Sequence, residues 1–287
     1  MCRHLAYLGP PVTLRAAIID PPLGLYRQAW APRMMRGSGT MNIDGFGAGW
    51  YADGDPVPAR YRNSGPIWAD PSFADLTRVT RSGALLAAVR DASAGTEPSP
   101  SAASPFGADH YLFSHNGALA GWPGTAEGVA ATLSPLELLN LDARVDSALL
   151  WALILKQLRD GASPDGALAA VIGLLGQAGV TGRFNFLLTD GRVIAATTAG
   201  HTLFYRQGHD HGADSVTVAS EPADEDPAWT EVPDRCLVTA TASDVKVSPL
   251  LVVPPEVTAD SAERVQHGSF PEGMAATSSP DGRNPSK

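Results

Sequence analysis

Cys2 stands directly behind the initiator methionine, at a chain end that is ordinarily frayed and replaceable. Packing asks for no thiol there. Removal of Met1 would make Cys2 the first residue, because aminopeptidases accept a small second residue. The freed α-amino group, with an ordinary pKa of about 7.7–8.0, would then share a residue with the thiol. A free thiol ionises near pH 8.5 and needs a base to act as a nucleophile. A terminal amine beside a nucleophilic side chain supplies one. The plain alternative is a small residue that opens an edge strand.

Other residues could serve the same chemistry. In His115-Asn116-Gly117, an Asn amide and the next backbone N–H form a compact donor pair for a tetrahedral oxyanion. Asn-Gly is equally the strongest short signal for a hairpin turn. Arg90 ends an apolar run, where its guanidinium fork could clamp a carboxylate through two parallel bonds or make an ordinary surface ion pair. Asp146 could hold a substrate ammonium or simply cap a helix. Residues 42–51 carry three glycines in a strand-like run, which implies close backbone approach or a bulge. No metal is expected: Cys2-x-His4 has no second ligand pair at the usual spacing, and the other histidines are scattered. Asp20, Asp44 and Asp53 form no obvious carboxylate pair.

The elements that must position these residues follow from the apolar pattern. Residues 2–9 read as a strand that stops at a Gly9-Pro10-Pro11 turn, and 45–52, 84–90 and 110–115 as three more. The pattern then becomes helical over 146–161, with Asp146 as cap. It stays helical over 163–179, with Ser163 as cap and Pro164 in the first helical position. Strands return around a tight turn at Asp190-Gly191 and continue over 202–208, 215–222, 236–242 and 245–251. Strands, then helices, then strands without βαβ alternation predict an α+β fold with antiparallel sheets and segregated helices. Residues 92–107 form a small-residue, Pro-rich loop whose length fits a lid. Residues 1–255 read as one domain and 256–287 as a disordered polar tail.

Composition narrows the partners. A chain of 287 residues, 44% apolar and 18% charged, has the makeup of a globular domain. A net charge of −9 speaks against a nucleic-acid partner. No apolar run approaches the ~20 residues that span a bilayer, and the start has no signal pattern, so a cytoplasmic protein without a membrane partner is expected. Two cysteines are too few for a disulfide framework, and that compartment disfavours a Cys2–Cys236 bridge.

Taken in chain order, Cys2, Asn42-x-Asp44-Gly45-Phe46-Gly47-x-Gly49-Trp50, Arg90-x-x-Ser93-x-Gly95, Asn116-Gly117 and Asp146 resemble the class II glutamine amidotransferases. These belong to the N-terminal-nucleophile (Ntn) hydrolases. The resemblance spans roughly residues 2–250 and implies a four-layer αββα sandwich of two mostly antiparallel sheets, with Cys2 at the end of a central strand. It implies Cys2 as nucleophile and Asn116 with Gly117 as oxyanion hole. It implies Arg90 as clamp on a glutamyl α-carboxylate, Asp146 as partner of the α-ammonium, and Ser93 in the substrate-binding set. Asp91 stands where many members carry an aromatic residue, and Ala148 where a Ser-Asp-x-Glu pattern would place its glutamate. The implied substrate is a small γ-glutamyl compound, with neither metal nor organic cofactor; a homo-oligomer stays open.

No synthase domain is expected after residue 250, and residues 1–9, 44–51 and 218–222 look like the stand-alone branch. Within it the chain is most similar to the amidohydrolases of actinobacterial ergothioneine biosynthesis, which remove glutamate from γ-glutamyl-hercynylcysteine S-oxide. The trimethylammonium of such a substrate would favour an aromatic or acidic pocket, with Trp50, Tyr51 and Trp122 near in motif order. Two other readings stand beside this one: a glutaminase subunit that hands ammonia to a partner synthase, and an inactive binding protein of the same fold.

Overall fold

Strand β1 (Arg3–Thr13) alternates Leu5 and Tyr7 with Ala6 and Leu8, and all four are buried, so it needs cover on both faces. The computed structural model describes residues 2–36, 41–92, 96, 98–210 and 212–251. Ser93 and the expected tail over 256–287 lie outside the described residues. The first sheet runs β11 (Thr230–Glu231), β9 (Phe204–Asp210), β10 (Ala213–Ala219), β1, β4 (Arg81–Val89), β2 (Phe46–Trp50), β3 (Ala59–Asn63). The second runs β13 (Val245–Pro249), β12 (Cys236–Ala240), β8 (Ile194–Thr197), β7 (Gly182–Thr189), β6 (Tyr111–Leu119), β5 (Phe106–Ala108). Both sheets are antiparallel, and β1 lies at the centre of the first.

Three apolar clusters divide the molecule into four layers. Helices α1 (Leu14–Ile18), α2 (Leu25–Gln28) and α3 (Pro71–Val79) pack Leu14, Leu25 and Phe73 on the Leu5 and Tyr7 face of the first sheet. Ala6, Leu8, Leu86, Leu187 and Val218 meet between the sheets. Beyond the second sheet, Phe113 and Phe184 pack under helices α4 (Glu127–Ala130), α5 (Pro135–Leu139), α6 (Asp146–Arg159) and α7 (Pro164–Gln177). Each fully buried Leu or Phe contributes about 1.5–3 kcal/mol of transfer free energy to holding these layers together. This is the αββα sandwich implied by the resemblance. Among the described residues no helix is long and apolar enough to cross a membrane.

Local chemistry accounts for agreements and corrections. Ser163 Oγ accepts from Gly166 N–H at 3.3 Å, with Pro164 opening α7 as expected. Asp146 is the first helical residue of α6 instead of its cap, which is Val145. There its charge still suits the positive end of the helix, as Lys156 and Arg159 suit the other. β1 runs through the expected Gly9-Pro10-Pro11 turn to Thr13, with a register shift between Leu8 and Val12. Asn116-Gly117 is no hairpin turn: both residues lie inside β6, opposite Asn185 and Phe184. The expected lid is in part core, because Ala103 and Phe106 are fully buried. The Asp190-Gly191 turn does join β7 to β8; Asp190 Oδ1 accepts from Arg192 N and Val193 N, both at 2.8 Å.

Candidate active site

Register assembles one end of the first sheet. Arg3 pairs with Val89 on β4, so Cys2 comes level with Arg90 one residue further out. Phe46 of β2 also pairs with Val89, and Gly45 therefore flanks Arg90 from the other side, its carbonyl accepting from Arg90 N–H at 2.7 Å. Arg90 Nη1 donates to Asp44 O at 3.1 Å, while Asp44 Oδ2 accepts from Ala92 N–H at 2.9 Å. Asn42 anchors this loop through Nδ2 to Gln28 O at 3.0 Å. The glycines of this motif serve close approach. A Cβ at Gly47 would lie 2.4 Å from Ser104 O, and one at Gly49 would lie 2.7 Å from Leu112 Cδ1.

Strand alternation turns Cys2, His4, Ala6 and Leu8 toward the second sheet. The His4 ring bonds Ser114 Oγ of β6 through Nδ1 at 3.1 Å. His4 N–H donates to Ser220 Oγ at 3.0 Å, and Asn116 Nδ2 lies 3.3 Å from the same oxygen. Asn116 is thereby tied to β1 two residues from Cys2. Position 117 admits only glycine, because a Cβ there would lie 1.9 Å from Arg183 O and 2.6 Å from His115 Nε2. Cys2, Arg90, Asn116 and Gly117 are thus gathered at one end of the sandwich.

Asp146 stands at the end of β6, where Oδ2 accepts from Leu119 N–H at 2.9 Å and Oδ1 from Ser147 N–H at 2.7 Å. Ser147 Oγ also lies 3.3 Å from Oδ1, so the open lone pair is on Oδ2. Trp50 and Tyr51 are at the opposite end of β2 from Gly45, and the Tyr51 hydroxyl lies 2.8 Å from His110 O. Burial pushes that phenol well above its ordinary range. Trp122 packs on the helical side of the second sheet. The aromatic residues expected in the pocket are therefore elsewhere.

Sequence reasoning passed over a buried polar set. Arg3 and Glu221 pair at 2.6 Å with both side chains buried, Glu221 Oε2 also accepts from Arg33 N–H at 2.7 Å, and Arg3 Nη1 donates to Cys2 O at 3.0 Å. Burial lowers the Arg3 pKa, and Glu221 opposes the shift. Burial pulls His4 down to about 3 and His201 to about 2, with positive neighbours adding to the shift, so both rings are neutral. His115 is lowered too, mainly by burial, although the Asp146 charge works the other way. Arg183 O can only accept, so His115 Nε2 carries the hydrogen across 2.9 Å, and Nδ1 accepts from Ser147 Oγ at 3.0 Å. Asn185 fastens loop 199–202: Oδ1 accepts from Ala199 N–H and His201 N–H at 3.0 and 3.1 Å, and Nδ2 donates to His201 O at 3.0 Å.

Arg3 Nη2, His4 Nε2, Asn116 Oδ1 and both His201 ring nitrogens are buried without a protein partner. Unpaired buried polar atoms are rare in native proteins, and a group of them marks a functional place. A cleft of about 210 Å³ is lined by Glu221, the partner of Arg3, with Arg33, Phe204, Pro222, Asp224 and Trp229 among others. Pro222 stands level with Cys2 in the β1–β10 register. Arg206 bridges Asp224 and Asp226 at 3.0 and 3.3 Å and sits 5.3 Å over the Trp229 ring.

A two-sheet sandwich that brings Cys2 level with Arg90 and carries Asn116-Gly117 on a strand of the facing sheet has the architecture of an Ntn-type amidotransferase domain. The chain belongs to the class II glutamine amidotransferases, whose family model matches residues 26–214. It is 40% identical over 250 residues to the γ-glutamyl-hercynylcysteine sulfoxide hydrolase of Mycolicibacterium smegmatis, covering 87% of this chain and 100% of that one. It is 39% identical to the Mycobacterium tuberculosis protein of the same name, covering 87% and 97%. Among solved structures, a glutamine aminotransferase class-II domain protein from Silicibacter pomeroyi superposes with a TM-score of 0.61 at 22% identity, over 86% of this chain and 99% of that one. The glutamine phosphoribosylpyrophosphate amidotransferase of B. subtilis gives 0.59 at 14% identity, over 88% and 50%.

Proposed function

We propose that this chain hydrolyses the γ-glutamyl amide of γ-glutamyl-hercynylcysteine S-oxide, releasing glutamate and hercynylcysteine S-oxide. Cys2, exposed by removal of Met1, attacks the γ-carbonyl carbon through sulfur. Its own α-amino group takes the thiol proton and passes it to the leaving amine. Asn116 Nδ2 and the Gly117 N–H carry the negative oxygen, where one such donor is worth about 2.7–4 kcal/mol of barrier. Water then cleaves the γ-glutamyl thioester and regenerates the thiol. Arg90 holds the α-carboxylate and Asp146, through the open lone pair of Oδ2, the α-ammonium; Ser93 completes this set, and the working domain is residues 1–255.

The observation that carries this reading is the junction at the start of β1. His4 N–H and the Asn116 side-chain amide converge on Ser220 Oγ, and Arg90 stands level with Cys2 on the neighbouring strand. Identity of 40% to a hydrolase named for this substrate supports the choice of leaving amine. The cleft beside Pro222 supports it as well: Asp224, Glu225 and Asp226 face two guanidiniums, Arg33 and Arg206, and Trp229 offers a ring. One excess carboxylate with an aromatic face suits a trimethylammonium group.

Turnover of the γ-glutamyl sulfoxide and of free glutamine by the purified chain tests the proposal, together with intact-mass analysis of the amino terminus. The expected result is a processed Cys2 terminus, rapid release of glutamate from the sulfoxide and slow turnover of glutamine, all lost in Cys2→Ala. Preference for glutamine would point instead to an ammonia-delivering glutaminase. A retained Met1 with no labelling of Cys2 by a diazo-ketone glutamine analogue would point to a binding protein.

A further inference from the structure

Ser220 follows β10 and is fully buried. Its backbone is held on both sides: its N–H donates to His4 O at 2.9 Å, and its carbonyl accepts from Thr202 Oγ1 at 2.8 Å. The hydroxyl cannot drift from where this backbone puts it, 3.0 Å from the His4 N–H and 3.3 Å from the Asn116 amide nitrogen.

A serine hydroxyl brings one hydrogen and two lone pairs. His4 N–H can only donate, so it occupies one lone pair of Ser220 Oγ. If Asn116 Nδ2 also donates to that oxygen, the Ser220 hydrogen is left unspent. Asn116 Oδ1 is then buried without a partner as well. A primary amide has the same outline when turned through 180°, and its orientation is decided by the hydrogen bonds it can satisfy. Turned, Oδ1 accepts the Ser220 hydrogen, and both unspent groups are used at once. Nδ2 then leaves Ser220 for the buried place that Oδ1 occupied, where it has no protein partner and both hydrogens are open to a developing oxyanion.

We infer that Ser220 is a positioning residue for the oxyanion hole. The His4 N–H sets the Ser220 hydroxyl, the hydroxyl holds Asn116 Oδ1, and Nδ2 is thereby aimed at the developing negative oxygen. The inference rests on the reading of Asn116 as an oxyanion donor. It gives the Ser220-Glu221 step two separate tasks, since Glu221 turns the other way to hold Arg3.

The test compares Ser220→Ala and Ser220→Thr in the full chain. Steady-state hydrolysis of γ-glutamyl-hercynylcysteine S-oxide is measured beside alkylation of Cys2 by iodoacetamide, which forms no oxyanion. Complete loss of one oxyanion donor lowers kcat about 10²–10³-fold, so a loosened donor is expected to lower it at least about tenfold in Ser220→Ala. KM and the alkylation rate stay within about threefold of the parent, and Ser220→Thr, which keeps the hydroxyl, recovers most of kcat. Turnover within about twofold of the parent, or alkylation slowed as much as turnover, overturns the inference. Should Ser220→Ala fail to fold, neutron diffraction from the unaltered chain reads the pairing directly. Deuterium of Ser220 pointing at Asn116 Oδ1 supports the inference, and the amide nitrogen pointing at Ser220 Oγ overturns it. Neutron support alongside an inactive parent chain would remove the proposed reaction while leaving this pairing in place.

Discussion

At Gly117 the backbone of β7 leaves no room for a side chain. The obstructing atom is Arg183 O, 1.9 Å from where a Cβ would stand, and a carbonyl fixed by the His115 Nε2–H at 2.9 Å cannot swing aside. Gly117→Ala must therefore displace the strand. Forced overpacking of this kind costs about 1–3 kcal/mol or more. It also moves the N–H assigned to the oxyanion, for a further loss of about 10²-fold in kcat. Urea unfolding and steady-state turnover check both halves. An Ala variant as stable and as active as the parent would remove Gly117 from the donor pair. At Asn116 the sequence already held the needed chemistry, an amide next to a glycine N–H, but it also fitted a hairpin turn. Only the pairing of β6 with β7 separates the two.

At the scale of elements, Asn185 makes three of the bonds that hold the loop between β8 and β9, beside Asp234 on Gly200 N–H. Asn185 gives its oxygen to Ala199 N–H and His201 N–H and its nitrogen to His201 O, all within buried surroundings. Asn185→Ala would strand two buried N–H groups at about 1–3 kcal/mol each, for a loss of about 2–6 kcal/mol. Because Thr202 in the same loop holds Ser220 O, turnover is expected to fall as well. Hydrogen exchange gives a specific check, in which protection is lost first at the Ala199 and His201 amides. Unchanged protection there would show that the loop is held by something else. None of this was legible along the chain, because a buried Asn inside the apolar run of β7 carries no periodic signal. The long helices were legible, since both have length and an acidic first turn, α7 has its Ser163 cap and α6 its basic last turn. The short helices α1, α2, α4 and α5 span four or five residues each, too few for a period to show. Strand ends were less legible than strand centres. β1 passes through Gly9-Pro10-Pro11 because pairing with β4 resumes at Val12, a tertiary fact that local turn preference cannot anticipate.

The whole molecule buries His4, His115 and His201, and this sets its response to acid. His4 and His201 are held neutral down to about pH 3 and about pH 2, both chiefly by burial, and His115 is shifted in the same direction. In the unfolded chain these rings titrate near the ordinary value of about 6.5. Below that pH the unfolded state binds protons that the folded state refuses, so unfolding takes protons up. Stability from these groups is complete above about pH 6.5 and falls as the pH is lowered from there. The slope approaches about 1.4 kcal/mol per pH unit for each imidazole. Asp70 and Asp224, whose pKa values are lowered by hydrogen bonds from Tyr61 and Trp229 respectively, lose stability in the same direction, but only in the carboxylate range. A domain at the low end of the usual margin, about 5 kcal/mol, would approach its limit near pH 4–5 through the histidines before those carboxylates are protonated. Urea midpoints across pH 5–8 are expected to be flat above pH 7 and to fall steeply below 6.5, with close to two protons taken up per molecule or more. His4→Gln combined with His201→Gln should flatten the acid limb. A parent chain equally stable at pH 5 and pH 7 would mean that these rings accept protons in the fold. The neutral, desolvated surroundings drawn for the start of β1 would then be wrong.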